Sequence, residues 1–199
     1  MLLIHKLAQA NKFASNMRRA EQLYRQVLTL REKVSGREAS ETLEVMNDLA
    51  SLIERAGRLK EAELIFESLY KRYEVNGRDY PNAMAAAHNL GLCYHNQGRL
   101  NEAEHMYKIA LGLSEIRVGV EDAGTLKTLS NLAATVDHQG RLDETQSLYE
   151  KALPSFIKVL GFDHYLTLRL RGNMAGLRRQ QGAFKQAEDM VKGCQEVVT

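Results

Sequence analysis

The sequence predicts an all-α fold, an α-α superhelix of about ten antiparallel helices in helix-turn-helix pairs, and three observations predict it. Two series of glycines recur with one shared period. Between them, apolar residues recur every three or four positions, the spacing of one buried helix stripe. Runs of β-branched and aromatic residues bounded by turns are missing, and the chain holds only 2 prolines to interrupt helices.

The first series is Gly57, Gly98, Gly140 and Gly182, at intervals of 41, 42 and 42 residues. Arginine follows the first three, and Ala183 follows the last. The second series, Gly36, Gly77, Gly119 and Gly161, has the same intervals and runs about half a period out of phase. Glycine ends a helix readily because it adopts the left-handed cap conformation without a side-chain penalty. Two stops per period mean two helices per repeat. The expected organisation is one repeat domain over 1–199, with a truncated repeat at 1–36 and repeats at 37–77, 78–119, 120–161 and 162–199.

Taken in order, the apolar start Met1-Leu2-Leu3-Ile4 is too short for a signal-peptide core or a membrane span. Leu7-Ala8 falls 42 residues before Leu49-Ala50, so the start reads as the remainder of a first helix. First helices follow in stripes such as Leu43, Met46, Leu49, Ala50, Ile53, and Leu126, Leu129, Leu132, Ala133, Val136. Second helices read Leu59, Ala62, Phe66, Leu69; then Leu100, Ala103, Tyr107, Ala110; then Leu142, Thr145, Tyr149, Ala152. A small residue followed by an aromatic one turn later lets two helices approach and fills the gap with a ring. Ser40, Asp79, Asp122 and Asp163 are the expected caps of first helices, and Pro81 falls in a first turn, where proline is tolerated. Pro154 lies well inside a second helix and is expected to kink or break it, at a cost of about 3 kcal/mol, unless the convex face accommodates the bend.

Composition narrows the function. Lys and Arg total 27 against 25 Asp and Glu, a formal charge of +2, which disfavours a polyanion as the main partner. The arginine-rich segment 163–181 lacks interleaved aromatics for base stacking, so nucleic acid is a weak option. Cys93 and Cys194 stand far apart with no second cysteine near either, which fits a reducing, cytoplasmic setting and excludes a CxxC motif. No phosphate loop, nucleophile elbow or HExxH motif occurs, and the expectation is a non-enzyme without cofactor. The carboxylate pairs Glu61 with Glu63 and Glu102 with Glu104 read as solvated or inter-repeat positions.

Several segments resemble tetratricopeptide repeats (TPRs), in the longer 42-residue variety of kinesin light chains, nephrocystin-like proteins and NACHT-type sensor arrays. The resemblance rests on Asn89-Leu90-Gly91 with Tyr94, Asn131-Leu132-Ala133, Asn173-Met174-Ala175, the Gln-Gly-Arg-Leu turns at 97–100 and 139–142, and Glu-Ala-Glu at 61–63 and 102–104. It covers the whole chain. Departures are Asp48 in place of asparagine, Thr145 in place of alanine, and Arg178 in place of Tyr94.

In such stacks the first helices line the concave side. The residues expected there are Asn47, Asp48, His88, Asn89, His95, Lys127, Asn131, His138, Arg169, Asn173 and Arg179, with Glu44, Glu54, Gly172 and Gly176 on the same faces. An amide both donates and accepts, so a row of asparagines can hold an extended peptide backbone. The resemblance implies the same contact; the alternative is that these asparagines satisfy local backbone groups. Charge changes sign from Glu44, Asp48 and Glu54 to Lys127, Arg169 and Arg179, with Arg171 and Arg178 nearby. That pattern suits a partner protein or peptide with an acidic stretch, while a solvated helix face would look the same. His88 and His95 share a face with Cys93 between them, but about 10.5 Å of helix separates the rings and Cys93 belongs to the packed side, so no metal site is expected.

The expected function is a protein-interaction module with a peptide in its groove. The alternative is a self-assembling segment of a longer array, in which exposed end repeats make homo-oligomers; the apolar start and uncapped end suit that reading.

Overall fold

The computed structural model describes residue 6 and residues 16–76, 80–117 and 121–195. Nine helices account for most of them: α1 Met17–Val34, α2 Ser40–Arg55, α3 Leu59–Asn76, α4 Tyr80–Asn96, α5 Leu100–Arg117, α6 Ala123–His138, α7 Leu142–Leu160, α8 Tyr165–Gln180 and α9 Phe184–Gln195. No strand occurs among the described residues. The apolar start with Leu7-Ala8, the glycines Gly77 and Gly119, the expected cap Asp79 and the last four residues lie outside the described residues.

The first glycine series ends the first helices α2, α4, α6 and α8 by one mechanism. Each glycine has a positive φ, between 76° and 80°. At Gly98 the chain turns so that Gly98 N–H donates to the His95 carbonyl at 2.9 Å and Arg99 N–H reaches back to the Tyr94 carbonyl at 2.9 Å. The same pair of bonds recurs at Gly57, Gly140 and Gly182, the Schellman arrangement that satisfies carbonyls left over at a helix end.

Two expectations at the other helix ends need correction. Asp122 caps α6 as expected, accepting from Gly124 and Thr125 N–H at 2.8 and 3.0 Å. Asp163 does not cap α8, because the chain enters the helix one residue later and His164 Nδ1 accepts from Leu166 N–H. For α2 the cap is Ala39, with no side-chain bond, and Ser40 is already helical. Pro154 does not break its helix, since α7 runs through it from Leu142 to Leu160. The proline is exposed, so the carbonyl one turn earlier that loses its helical partner can turn to water.

The chain falls into two compact units, residues 1–99 and 100–199. In the first, α1 packs on α2, α2 on α3, α3 on α4, and α2 also touches α4. Its interior is Tyr24, Leu52, Ile53, Ala62, Phe66 and Leu69, all buried. In the second, each of α5 to α9 packs on the next and α6 touches α8. Leu126, Ala133, Tyr149, Ala152, Phe156, Leu166, Leu170, Met174 and Leu177 form its core. Each such side chain contributes roughly 1.5–3 kcal/mol on burial if aliphatic or phenyl. Thr145 replaces the usual alanine at no hydrogen-bonding cost, because its hydroxyl donates to the Arg141 carbonyl at 2.9 Å.

Candidate binding face on the first helices

In the first unit, α2 and α4 are joined by a ladder of polar side chains at seven-residue steps. Asn82, Asn89 and Asn96 on α4 donate to Ser40, Asn47 and Glu54 on α2, at 3.3, 2.9 and 2.6 Å. Seven residues is two helical turns, so the three rungs share one face. Asn89 thus has one amide N–H committed to Asn47. Asp48 accepts from the Tyr24 hydroxyl at 3.4 Å; burial, then the Asp48 charge, push that phenol well above its ordinary value. His88 is buried, and His95 is half-buried. Cys93 faces the other way, its thiol donating to the Leu59 carbonyl at 3.2 Å, and burial pushes it up.

The second unit presents the equivalent face differently. Lys127, His138, Arg169 and Arg179 are exposed there, with Asn131 and Asn173 half-buried. Among the described residues Lys127, Arg169 and Arg179 make no hydrogen bond or ion pair. Ser130 and Asp137 stand where Asn47 and Glu54 stand in the first unit, 83 residues earlier in both cases. Among the described residues Ser130 Oγ and Asp137 Oδ1 are buried without a partner. Burial followed by the Asp137 charge pushes the Tyr149 phenol up to about 12, against the opposing effect of a hydrogen bond with Asn173.

Arg171 and Arg178 are not part of this face. Arg171 is buried, donates to the Met190 carbonyl at 3.0 Å and lies 4.1 Å over the Phe162 ring. Arg178 is turned to α7, where it bonds Gln146 and Glu150. Of the four arginines on α8, Arg169 and Arg179 are the two on this face, the two that the sequence reading placed there.

Of the two readings left open for the Glu-Ala-Glu pairs, solvated or inter-repeat, the inner glutamates take the second, with partners that the sequence reading did not name. The inner carboxylate of each Glu-Ala-Glu step is clasped by the following Gln-Gly-Arg turn: Glu63 by Gln97 and Arg99, Glu104 by Gln139 and Arg141. Glu21 and Arg58 make the same clasp at 2.8 Å. Glu63 and Glu104 are buried, at 8% and 9% exposure, whereas Glu61 and Glu102 are not. The recurring separation of 36 or 37 residues between glutamate and arginine was the available signal.

With this geometry in hand, comparison with known proteins is direct. A family model described as Tetratricopeptide repeat matches residues 1–74, 41–116 and 124–196. The chain belongs to the tetratricopeptide repeat family. Its fold class is the all-α TPR solenoid, with the 41- and 42-residue period of the kinesin-light-chain-like variety. Among solved structures, this TPR chain is similar to the nearly identical TPR-like repeats of a Podosopora anserina kinesin light chain, with TM-score 0.81, 20% identity and coverage of 98% of this chain and 92% of that one. BtubC (BKLC) from P. vanneervenii gives TM-score 0.71 at 18% identity, covering 92% of this chain and 72% of that one. A Rap protein complexed with competence and sporulation factor gives TM-score 0.68 at 14% identity, covering 98% and 62%. No curated protein sequence matches. TPR folds are in general interaction modules, and the chain is one at that level of description. Among the described residues no three His, Cys, Asp or Glu side chains are grouped to hold a metal ion, and no helix is long and apolar enough to cross a membrane.

Proposed function

We propose that this TPR chain binds a partner peptide or protein segment carrying an acidic stretch, on the faces that the first helices present within each unit, without catalysing a reaction. The contacts on this reading are Asn47, Asp48, His88, Asn89 and His95 in the first unit, and Lys127, Asn131, His138, Arg169, Asn173 and Arg179 in the second. The observation that carries it is the contrast among cations: Arg58, Arg99, Arg141 and Arg178 are all committed to side chains of neighbouring helices, whereas Lys127, Arg169 and Arg179 are exposed and, among the described residues, make no hydrogen bond or ion pair. A guanidinium held on a rigid helix meets a carboxylate with two parallel hydrogen bonds. The Rap neighbour, solved with a bound factor, is in keeping with ligand binding by this fold. A cytoplasmic setting goes with the reading, supported by the buried free thiol of Cys93.

The test is fluorescence anisotropy with labelled peptides selected on the wild-type chain from a displayed library of acidic dodecapeptides. Arg169→Glu should weaken them about tenfold or more, equal to about 1.4 kcal/mol, with an unchanged melting temperature. Raising salt well above 0.15 M should weaken wild-type binding as well, because exposed charges are screened over about 8 Å. Binding that ignores both changes would show that the acidic stretch is wrong.

A further inference from the structure

The second helices of the two units differ in the charge they turn to solvent. On α1 and α3 the exposed charged side chains among the described residues are Arg18, Arg19, Arg25, Lys33, Lys60 and Lys71, all cations. On α5 and α7 they are Glu102, Asp143 and Glu150 against Lys108, Lys151 and Lys158, an even balance. The carboxylates of α1 and α3 are drawn into internal bonds: Glu21 and Glu61 to Arg25 and Arg58, Glu63 to Gln97 and Arg99, and Glu67 to the Tyr94 hydroxyl. Arg18, Lys33 and Lys71 make no hydrogen bond or ion pair among the described residues.

These cations form an area. Steps of seven and eight residues put Arg18, Arg25 and Lys33 on one face of α1, and steps of four and seven put Lys60, Leu64 and Lys71 on one face of α3. Arg25 with Glu61 at 3.0 Å and Arg58 with Glu21 at 2.8 Å hold the two helices side by side. The cations spread over about 22 Å of α1 and about 16 Å of α3. Leu64 is an independent sign that this face meets something. It is 69% exposed, whereas the equivalent residues of α1, α5 and α7 are Gln22, His105 and Ser147, all polar.

We propose that the outer face of α1 and α3 docks on an anionic lipid bilayer. Arg18, Arg25, Lys33, Lys60 and Lys71 meet lipid phosphates and carboxylates, and Leu64 enters the boundary between headgroups and acyl chains. A bilayer supplies negative charge over an area together with an apolar layer beneath it, the two things this face asks for. Nucleic acid supplies only the first. Single strands are held by stacking on aromatic rings, and among the described residues α1 and α3 expose none; the hydrated phosphates of a duplex offer Leu64 no apolar contact. The small net charge of +2 is no obstacle, because attraction to an anionic leaflet falls off within a Debye length and depends on the cations nearest to it.

The test is sedimentation of the full chain with vesicles of phosphatidylcholine alone, and of phosphatidylcholine containing about one third phosphatidylserine. Wild type should sediment with the anionic vesicles and stay in solution with the neutral ones. Arg18→Glu/Lys33→Glu/Lys71→Glu should weaken binding about hundredfold, at about fivefold for each cation lost. Arg55→Glu/Lys151→Glu/Lys185→Glu makes the same change of net charge at exposed cations elsewhere, which also have no bond among the described residues, and should bind like wild type. Leu64→Gln leaves the charge unchanged and should weaken binding about fivefold or more. Circular dichroism checks that each variant keeps its helices, as substitutions at exposed residues should allow. Wild type that ignores anionic vesicles overturns the proposal. Equal losses in the two triple variants overturn the face in favour of net charge alone. Leu64→Gln that binds like wild type overturns insertion into a bilayer and leaves a contact that any polyanion could make.

Discussion

Arg178 donates from Nη2 to Glu150 Oε1 at 3.0 Å, the same length at which the Tyr94 hydroxyl donates to Glu67 Oε1. The two donors are equivalent in register, 42 residues either side of Val136. Both long side chains reach past the core to a carboxylate on the second helix of the preceding repeat. What reads in sequence as a cation replacing a core aromatic is therefore a change of donor with the acceptor kept. Arg178→Tyr should leave the melting temperature within about 2 °C of wild type, whereas Arg178→Ala, which leaves Gln146 and Glu150 without that donor, should cost about 1 kcal/mol. Calorimetry on the two variants checks this, and equal losses in both would refute the equivalence.

Glu104 gives the stability an acid limb. Burial pushes its carboxyl up, but hydrogen bonds from Lys108, Gln139 and Arg141 outweigh that effect and hold it at about 2. A carboxylate depressed in the folded state stabilises above its unfolded value and loses that contribution as pH falls toward the folded value. Wild-type stability should therefore decline between about pH 4.5 and pH 2, with Glu104 among the groups responsible. Glu104→Gln should be less stable than wild type at pH 7 and fall less steeply across that window in urea titrations. A variant with the wild-type slope would remove Glu104 from the account.

Gly98 is required by its backbone. At φ 76° a side chain is strained, although a Cβ there would meet no atom. Gly98→Ala should destabilise by about 1 kcal/mol or more, the opposite sign from Gly112→Ala, since Gly112 is an exposed interior residue of α5 with nothing near its missing Cβ. Thermal melts of the pair decide it: two shifts of the same sign would contradict the left-handed turn.

Cys93 should be inert in the folded protein. Its side chain is fully buried and its thiol is pushed up by burial, so both access and thiolate fraction are low. Alkylation followed by peptide mass spectrometry should find the peptide containing Cys93 unmodified under native conditions and modified in denaturant. Rapid native labelling would mean that α4 parts readily from α3.

The sequence by itself determined the repeat and therefore the fold. Glycine at a helix end is a local requirement of φ and needs no knowledge of the rest of the chain, which is why Gly57, Gly98, Gly140 and Gly182 marked four helix ends correctly. The apolar stripes are local in the same sense, and the small-then-aromatic step of the second helices put Phe66, Tyr107 and Tyr149 in the interior, where they are at most 1% exposed. Helix starts were less legible: Asp163 and His164 are adjacent polar residues, and which one caps depends on where the chain enters α8.

Only the tertiary structure decided what the polar residues do. Arg169, Arg171, Arg178 and Arg179 look alike in sequence, yet two face outward and two are held by Met190, Gln146 and Glu150. Likewise Asn89 is committed to Asn47, while Ser130 and Asp137 hold the equivalent positions without partners. A long polar side chain can reach several neighbours at similar cost, and the choice among them depends on groups about 20 to 40 residues away that the local pattern does not contain.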